Sequence, residues 1–390
     1  MGVSSALLAC LVLSATGPAA ARIVPVAAQT RADVRCPFRV VNPGEVPHEP
    51  EFNAIAADGP ADVWAVGTYI TGQESVVYQN LADHWDGTAW TVFYPPNDPY
   101  SNSGLSGVAA RAPNDAWAVG ATAQPGYIDQ TLIEHWDGSS WSIVSSPSVE
   151  STRYANALTS VVAFAPNVAF AAGSYFDADD EVSHTLIERW DGTKWSLMPT
   201  VDAGSTFFEA ISGSGPNDVW AVGAARFKHD HDELLAVHWN GFVWRPISVP
   251  RPPGRFAIFE GVADLAPNDA WAVGESYVGD RYKTLTEHWN GATWSLVPSP
   301  NVANTSSNDL YAVSATSSGD VWAVGDSLSA DQQTDDTLLL HWDGTRWRVH
   351  ASPNPARLNE LDAVAAVTPT DIWTVGSRGV SRSFIAHGCL

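Results

Sequence analysis

A single glycine recurs seven times along this chain at nearly fixed spacing. It closes the hexapeptides "DVWAVG" (62–67), "DAWAVG" (115–120), "VAFAAG" (168–173), "DVWAVG" (218–223), "DAWAVG" (269–274), "DVWAVG" (320–325) and "DIWTVG" (371–376). The steps from Gly67 through Gly120, Gly173, Gly223, Gly274 and Gly325 to Gly376 are 53, 53, 50, 51, 51 and 51 residues. Such a period marks one supersecondary unit copied along the chain, each copy burying its apolar face against the next. A second motif follows in six units: "HWDGTAW" at 84, "HWDGSSW" at 135, "RWDGTKW" at 189, "HWNGFVW" at 238, "HWNGATW" at 288 and "HWDGTRW" at 341.

Every unit offers four strand candidates and no helical period. In the second unit these are "LSGVAA" (105–110), "AWAVGA" (116–121), "TLIEHW" (131–136) and "WSIVSS" (141–146). The Asp-Gly or Asn-Gly pair between the last two is a strong hairpin signal. Seven units of four antiparallel strands predict an all-β, seven-bladed β-propeller over residues 36–390. The last unit stops after its third strand, at "SRSFIAHGCL" (381–390). The N-terminal segment Cys36 to Asn42 is expected to supply the missing strand, taking the place that "WRVHASPN" (347–354) holds in the unit before. Closure by the opposite terminus leaves no open sheet edge. It also sets Cys36 beside Cys389, and we expect a disulfide between them.

The unit resembles a kelch repeat, with a glycine ending the second strand and a spaced Trp beginning the fourth. A single Gly stands here where kelch units carry a Gly-Gly doublet. The hairpin is similar to the Asp-box of sialidases, with one residue fewer between Asp and Gly. The resemblance implies propeller architecture, as in the central domain of galactose oxidase, and is shared by scaffolds, binders and enzymes. A galactose-oxidase-like copper site would need a cysteine crosslinked to tyrosine, and Cys36 and Cys389 are assigned elsewhere.

All eighteen tryptophans fall at three repeat positions, which marks packing between blades rather than ligand stacking. Asp opens the second strand in six units and His closes the third in the same six: Asp62 with His84, Asp115 with His135, Asp218 with His238, Asp269 with His288, Asp320 with His341, and Asp371 with His387. The third unit has Val168, Arg189 and Phe170 in place of Asp, His and Trp. Joint loss implies a hydrogen-bonded Asp–His pair in each of the six.

Loops joining strands two to three, and four to the next blade, vary in length and content. They share one end of the blades, so that upper face is the expected functional one. Its candidates are Tyr175, Asp177 and Asp179 in "SYFDADDE", His229 and His231 in "RFKHDHDE", and Tyr277 in "SYVGDRY". Aromatic rings beside carboxylates suit sugars, and the acids also suit Ca²⁺, without the spacing of an EF-hand. A second candidate is one inner-strand position that reads Asn53, Ser106, Thr159, Glu209, Glu260, Tyr311 and Asp362 around the ring. These side chains are expected to line the channel mouth, with Glu209, Glu260 and Asp362 leading a cation or polar-ligand site.

The segment "SALLACLVLSATGPAAAR" has an apolar run and an A-x-A site at Ala19 to Ala21, so residues 1–21 read as a secretory signal and 22–35 as a linker. No Lys or Arg precedes the apolar run, and Cys10 lies inside it. Acids outnumber bases, 43 against 20, for a net charge of -23, which disfavours nucleic acid and anionic membrane. No G-x-S-x-G, H-E-x-x-H, P-loop or G-x-G-x-x-G occurs. The expectation is a secreted or cell-envelope bacterial binding module, monomeric and without a cofactor, that recognises a glycan or an extracellular protein. The alternatives are a glycan-active enzyme using Glu209 and Glu260, and an envelope scaffold.

Overall fold

The computed structural model describes residues 37–388 apart from 45, 47–49, 72–75, 98–101, 124–128, 150–153, 179–180, 202–203, 228–230 and 380–381. The signal, the linker and both partners of the expected Cys36–Cys389 bond lie outside the described residues. Seven four-stranded antiparallel sheets form the blades of a β-propeller, and no helix occurs among the described residues. Blade five shows the plan. Ala257–Ala266 is innermost, followed outward by Asp269–Tyr277, Tyr282–Trp289 and Trp294–Leu296.

Why glycine ends each "WAVG" follows from the inner strand. Phe52, Leu105, Leu158, Phe208, Phe259, Leu310 and Leu361 pair with the seven repeat glycines, and the register slips by one residue immediately afterwards in every blade. At this bulge the inner strand presses its backbone onto the glycine. A Cβ on Gly274 would collide with the Ile258 carbonyl, and one on Gly223 with that of Phe207. The repeat glycine is thus a requirement of close backbone approach.

Tryptophans carry the blade-to-blade packing. Trp64 meets Trp136 and Trp141 of the next blade, with both centroid distances 5.0 Å. Trp117, Trp220 and Trp271 repeat that contact, and Trp373 closes the ring on Trp85 and Trp90 at 5.3 and 5.4 Å. Phe170 takes the Trp role in blade three, against Trp239 and Trp244.

At the lower ends of the blades the hairpin carboxylates and the third-strand indole N–H groups find partners in the turns, whereas the second- and fourth-strand indoles have no hydrogen-bond partner among the described residues. Asp86 Oδ1 accepts from the Thr88 and Ala89 N–H groups and the Thr88 hydroxyl at 2.6–2.9 Å, and Gly87 adopts φ +91°. Trp85 and Trp90 pair around it, so the hairpin is a four-residue, side-chain-capped loop, not the two-residue turn that Asp-Gly most often signals. Asp137, Asp191 and Asp343 repeat it. The Trp85 indole N–H donates across to the Pro60 carbonyl at 3.2 Å, tying this hairpin to the neighbouring turn.

Blade seven takes its outer strand, Arg39–Val41, from the N-terminal segment. Its register differs from the expected one. Arg39 pairs with His387 as Arg348 pairs with His341, so Phe38, not Cys36, holds the place of Trp347. The reason is steric. Gly388 stands where blade six has Trp342, and the Phe38 ring lies over it, where a Cβ would meet the ring at 2.5 Å. Phe38 then reaches Trp322 of blade six at 5.9 Å.

Four carboxyls are fully buried on third strands: Asp83, Glu134, Glu188 and Glu287. Gly44 N–H donates to Asp83 at 2.8 Å, Asn80 Nδ2 to Glu134 at 2.6 Å, and Ser146 Oγ to Glu188 at 3.0 and 3.1 Å. Neither Glu287 oxygen has a hydrogen-bond partner among the described residues. Burial pushes Glu134, Glu188 and Glu287 up to about 8, and Asp83 to about 6.

Candidate functional site

The seven inner-strand positions singled out in the sequence are the residues that the bulges eject. Asn53, Ser106, Thr159, Glu209, Glu260, Tyr311 and Asp362 each occupy the slipped position, without a ladder partner in their own blade. Their side chains turn to the inner rim. Asn53 Nδ2 donates to the Leu105 carbonyl of the next blade at 2.9 Å, and Thr159 Oγ1 donates to that of Phe208 at 3.0 Å.

Above this ring sits a second tier that the repeat pattern does not single out. The residue after each glycine pairs with the one before each inner-strand Phe or Leu. This places Asp309 opposite Asp326, Ile258 opposite Glu275, Glu360 opposite Ser377 and Glu51 opposite Thr68. Tyr311 donates to Asp326 Oδ1 at 2.6 Å and Ser377 donates to Glu360 Oε1 at 2.6 Å. Together the tiers make an acid-rich mouth from blade four round to blade one.

Its electrostatics are one-sided. Burial first, then Glu209 and Asp309, push Glu260 up to about 8. Burial alone lifts Glu209 to about 7. Burial, then Glu260, Asp309, Asp326 and Glu209, take Glu275 to about 9. Asp362 is raised well above the usual carboxylate range by burial, then by Glu360, Glu51 and Asp326. No cationic side chain is among the groups that shift these acids. Several therefore hold a proton at neutral pH, and a cation would release it.

The upper-loop candidates spread around the same face. Tyr175 stacks between Tyr154 (5.5 Å) and His184 (4.8 Å) in blade three, with Asp177 ending its strand. Tyr277 ends the second strand of blade five and packs on Tyr282 and Phe256. His231 opens the third strand of blade four, opposite Phe227. Asp179 and His229 lie outside the described residues. Blade three and blade five thus hold separate aromatic groups, not one shared cluster. Among the described residues no group of three His, Cys, Asp or Glu side chains is arranged to hold a metal ion.

The six Asp–His positions lie at the opposite end. His Nε2 to Asp Oδ1 distances are 2.7 Å for His84–Asp62, 2.9 Å for His135–Asp115, 2.6 Å for His238–Asp218, 2.8 Å for His288–Asp269, 2.6 Å for His341–Asp320 and 2.7 Å for His387–Asp371. Each ring also lies over the second-strand Trp, as His84 over Trp64 at 4.3 Å.

Comparison with solved structures finds the same fold elsewhere. One similar structure is described as "YCF48 bound to D1 peptide". It is 13% identical, with a TM-score of 0.55 over 91% of this chain and 97% of that one. The likeness is one of fold. No model of a known protein family matches the sequence, and no curated protein matches it, so the kelch likeness stays at the level of the repeat.

Proposed function

We propose that this chain is an exported binding module that takes a polypeptide partner on its upper face, with basic residues of the partner at the channel mouth. The observation that carries this reading is the contrast between the two ends of the propeller. At the lower end, the hairpin carboxylates, the six paired histidines and the third-strand indole N–H groups are taken up by hydrogen bonds within the blades themselves. At the upper end, Glu209, Glu260, Glu275 and Asp362 lie among other acids, and among the described residues no cationic group contributes to their shifts. A basic side chain brought among these acids takes the place of their protons and pairs with the carboxylates in low-dielectric surroundings, where such a pair is strong. That a similar propeller is described in complex with a peptide supports a polypeptide partner, and the leader-like residues 1–21 support export.

A Lys-rich nonapeptide carrying a fluorophore tests it. Saturable binding is expected, weakening at least tenfold in Glu209→Gln/Glu260→Gln/Asp362→Asn and falling with salt. Equal binding of an acidic nonapeptide would refute it. A glycan reading is favoured by one observation, the Tyr154–Tyr175–His184 stack beside Asp177, and a glycan array reads it directly. Release of sugar products that vanishes in Glu209→Gln or Glu260→Gln would instead make the mouth a hydrolytic centre.

A further inference from the structure

The link between blades four and five holds a cavity of about 130 Å³, lined by Leu234, Val249, Pro252, Phe256 and Ala257, with Arg251, Arg255 and Glu233 also in its wall. That volume approaches the ~150 Å³ of an apolar cavity that accepts benzene, room for one medium apolar side chain.

Comparison of the blades with one another shows how it arises. In blade five the same spot is filled by a polar network: the Thr284 hydroxyl meets that of Ser299 at 2.8 Å, and Asn301 Oδ1 accepts from the Thr284 N–H at 3.1 Å. Blade six repeats this with Thr337, Ser352 and Asn354, and blade two with Thr131, Ser146 and Ser148. Counting from the repeat glycines and the outer-strand Trp, the equivalent residues in blade four are Leu234, Val249 and Arg251. The hydroxyl pair has become an apolar floor. The acceptor that caps the third-strand N–H has become a guanidinium, which cannot accept, so the Leu234 N–H is left without that cap.

Neither Arg251 nor Arg255 has an ion-pair partner among the described residues, in a chain of net charge -23. The wall is rigid. Pro250, Pro252 and Pro253 fix the link, and Gly254 (φ +130°) packs on the Tyr277 carbonyl, where a Cβ would collide. That carbonyl also accepts from Arg255 N–H at 3.1 Å, while Tyr277 N–H donates to the Phe256 carbonyl at 2.8 Å. Preorganised donors reduce the entropic cost of capture.

We infer that this cavity takes the free C-terminus of a polypeptide that ends in an apolar residue. Its carboxylate accepts from the Leu234 N–H and the two guanidinium groups, its last side chain occupies the apolar floor, and Glu233 accepts from a backbone N–H of the incoming chain. The inference rests on the polypeptide-binding reading above but uses a different site, and its ligand carries the opposite charge.

The test uses heptapeptides ending in Leu, Val, Phe or Asp, each as free acid and as C-terminal amide, measured by fluorescence anisotropy against the full chain. Free acids ending in Leu, Val or Phe are expected to bind at least tenfold tighter than their amides or the Asp series. Two variants are read alongside. Arg251→Ala/Arg255→Ala should erase the acid-over-amide preference. Leu234→Thr/Val249→Ser/Arg251→Asn, which restores the network of blade five and so preserves folding, should abolish binding. Both should keep the affinity for the Lys-rich nonapeptide. Equal binding of acids and amides, a preference that survives both variants, or tighter binding of a phosphorylated peptide amide overturns the inference. None of those results touches the mouth, which is read by the basic peptide and its own variant.

Discussion

His84 is held from two sides, by the carboxylate of Asp62 at 2.7 Å and by the indole of Trp64 at 4.3 Å, tilted by 31°. In blade seven the contact closes to a parallel stack at 3.7 Å with an interplanar angle of 7°. The blade that lacks the pair swaps all three chemistries at once: Val168, Arg189 and Phe170, with the guanidinium 5.5 Å over the phenyl ring. A cation–π contact replaces a hydrogen bond plus a ring contact, which keeps the cross-strand position filled. A double-mutant cycle of Asp218→Ala and His238→Ala should show a coupling energy on the order of 1 kcal/mol by urea denaturation; strictly additive losses would leave the two side chains as mere neighbours. The sequence makes this triad legible because it carries its own control in blade three. The same logic fails for Glu275 and Asp326. Each occurs once, at a position where other blades have Thr68, Ala121, Ser174, Ala224 and Ser377, so no period announces them.

Strand Arg39–Val41 is only three residues long, yet it completes a blade. Its hold comes from Phe38, which is buried at the seam between blades six and seven and touches Trp322 and His350. Phe38→Ala should cost about 3 kcal/mol through the cavity left on Trp322. Val40→Ala, on the exposed side, should stay within about 0.5 kcal/mol. If chemical denaturation finds the two equal, the closing strand lies outside the cooperative unit. That the N-terminal segment supplies an outer strand is readable from its place one strand ahead of the first strand of blade one, as in every later unit. Its register is harder to read, because cysteine pairing favours one alignment and the likeness of "FRV" to "WRV" favours another. The structure follows the second, because Gly388 vacates the room that an aromatic ring then fills.

Across the whole molecule, buried acids and exposed capping acids act in opposite pH ranges. Glu134, Glu188, Glu260 and Glu287 are raised to about 8, so the folded chain binds more protons than the unfolded one between about pH 4.5 and 8. Stability from these groups is complete below the unfolded value and falls as pH rises through that window. Hydroxyl and then backbone donors lower Asp86, Asp137 and Asp191 to about 2, so their contribution is present above about pH 4 and is lost on further acidification. The melting temperature should therefore peak near pH 4 to 5 and fall towards pH 9. Glu287→Gln should flatten the alkaline limb by a few degrees. A melting temperature that climbs from pH 5 to 8, or a Glu287→Gln variant that keeps the full slope, would contradict this.

The last blade also sets a clock. Its outer strand is made before the other six blades and its three other strands after them, with the partners Arg39 and His387 far apart in sequence. At about 5–20 residues per second, the early strand waits roughly 20 to 70 s for its neighbour to exist. Six blades can pack against one another in that interval, but the third-strand edge of the seventh is exposed until the earlier-made segment folds back onto it. Anything that binds Phe38 to Val41 while they wait would hold the ring open, and the order of synthesis would then decide how many chains close.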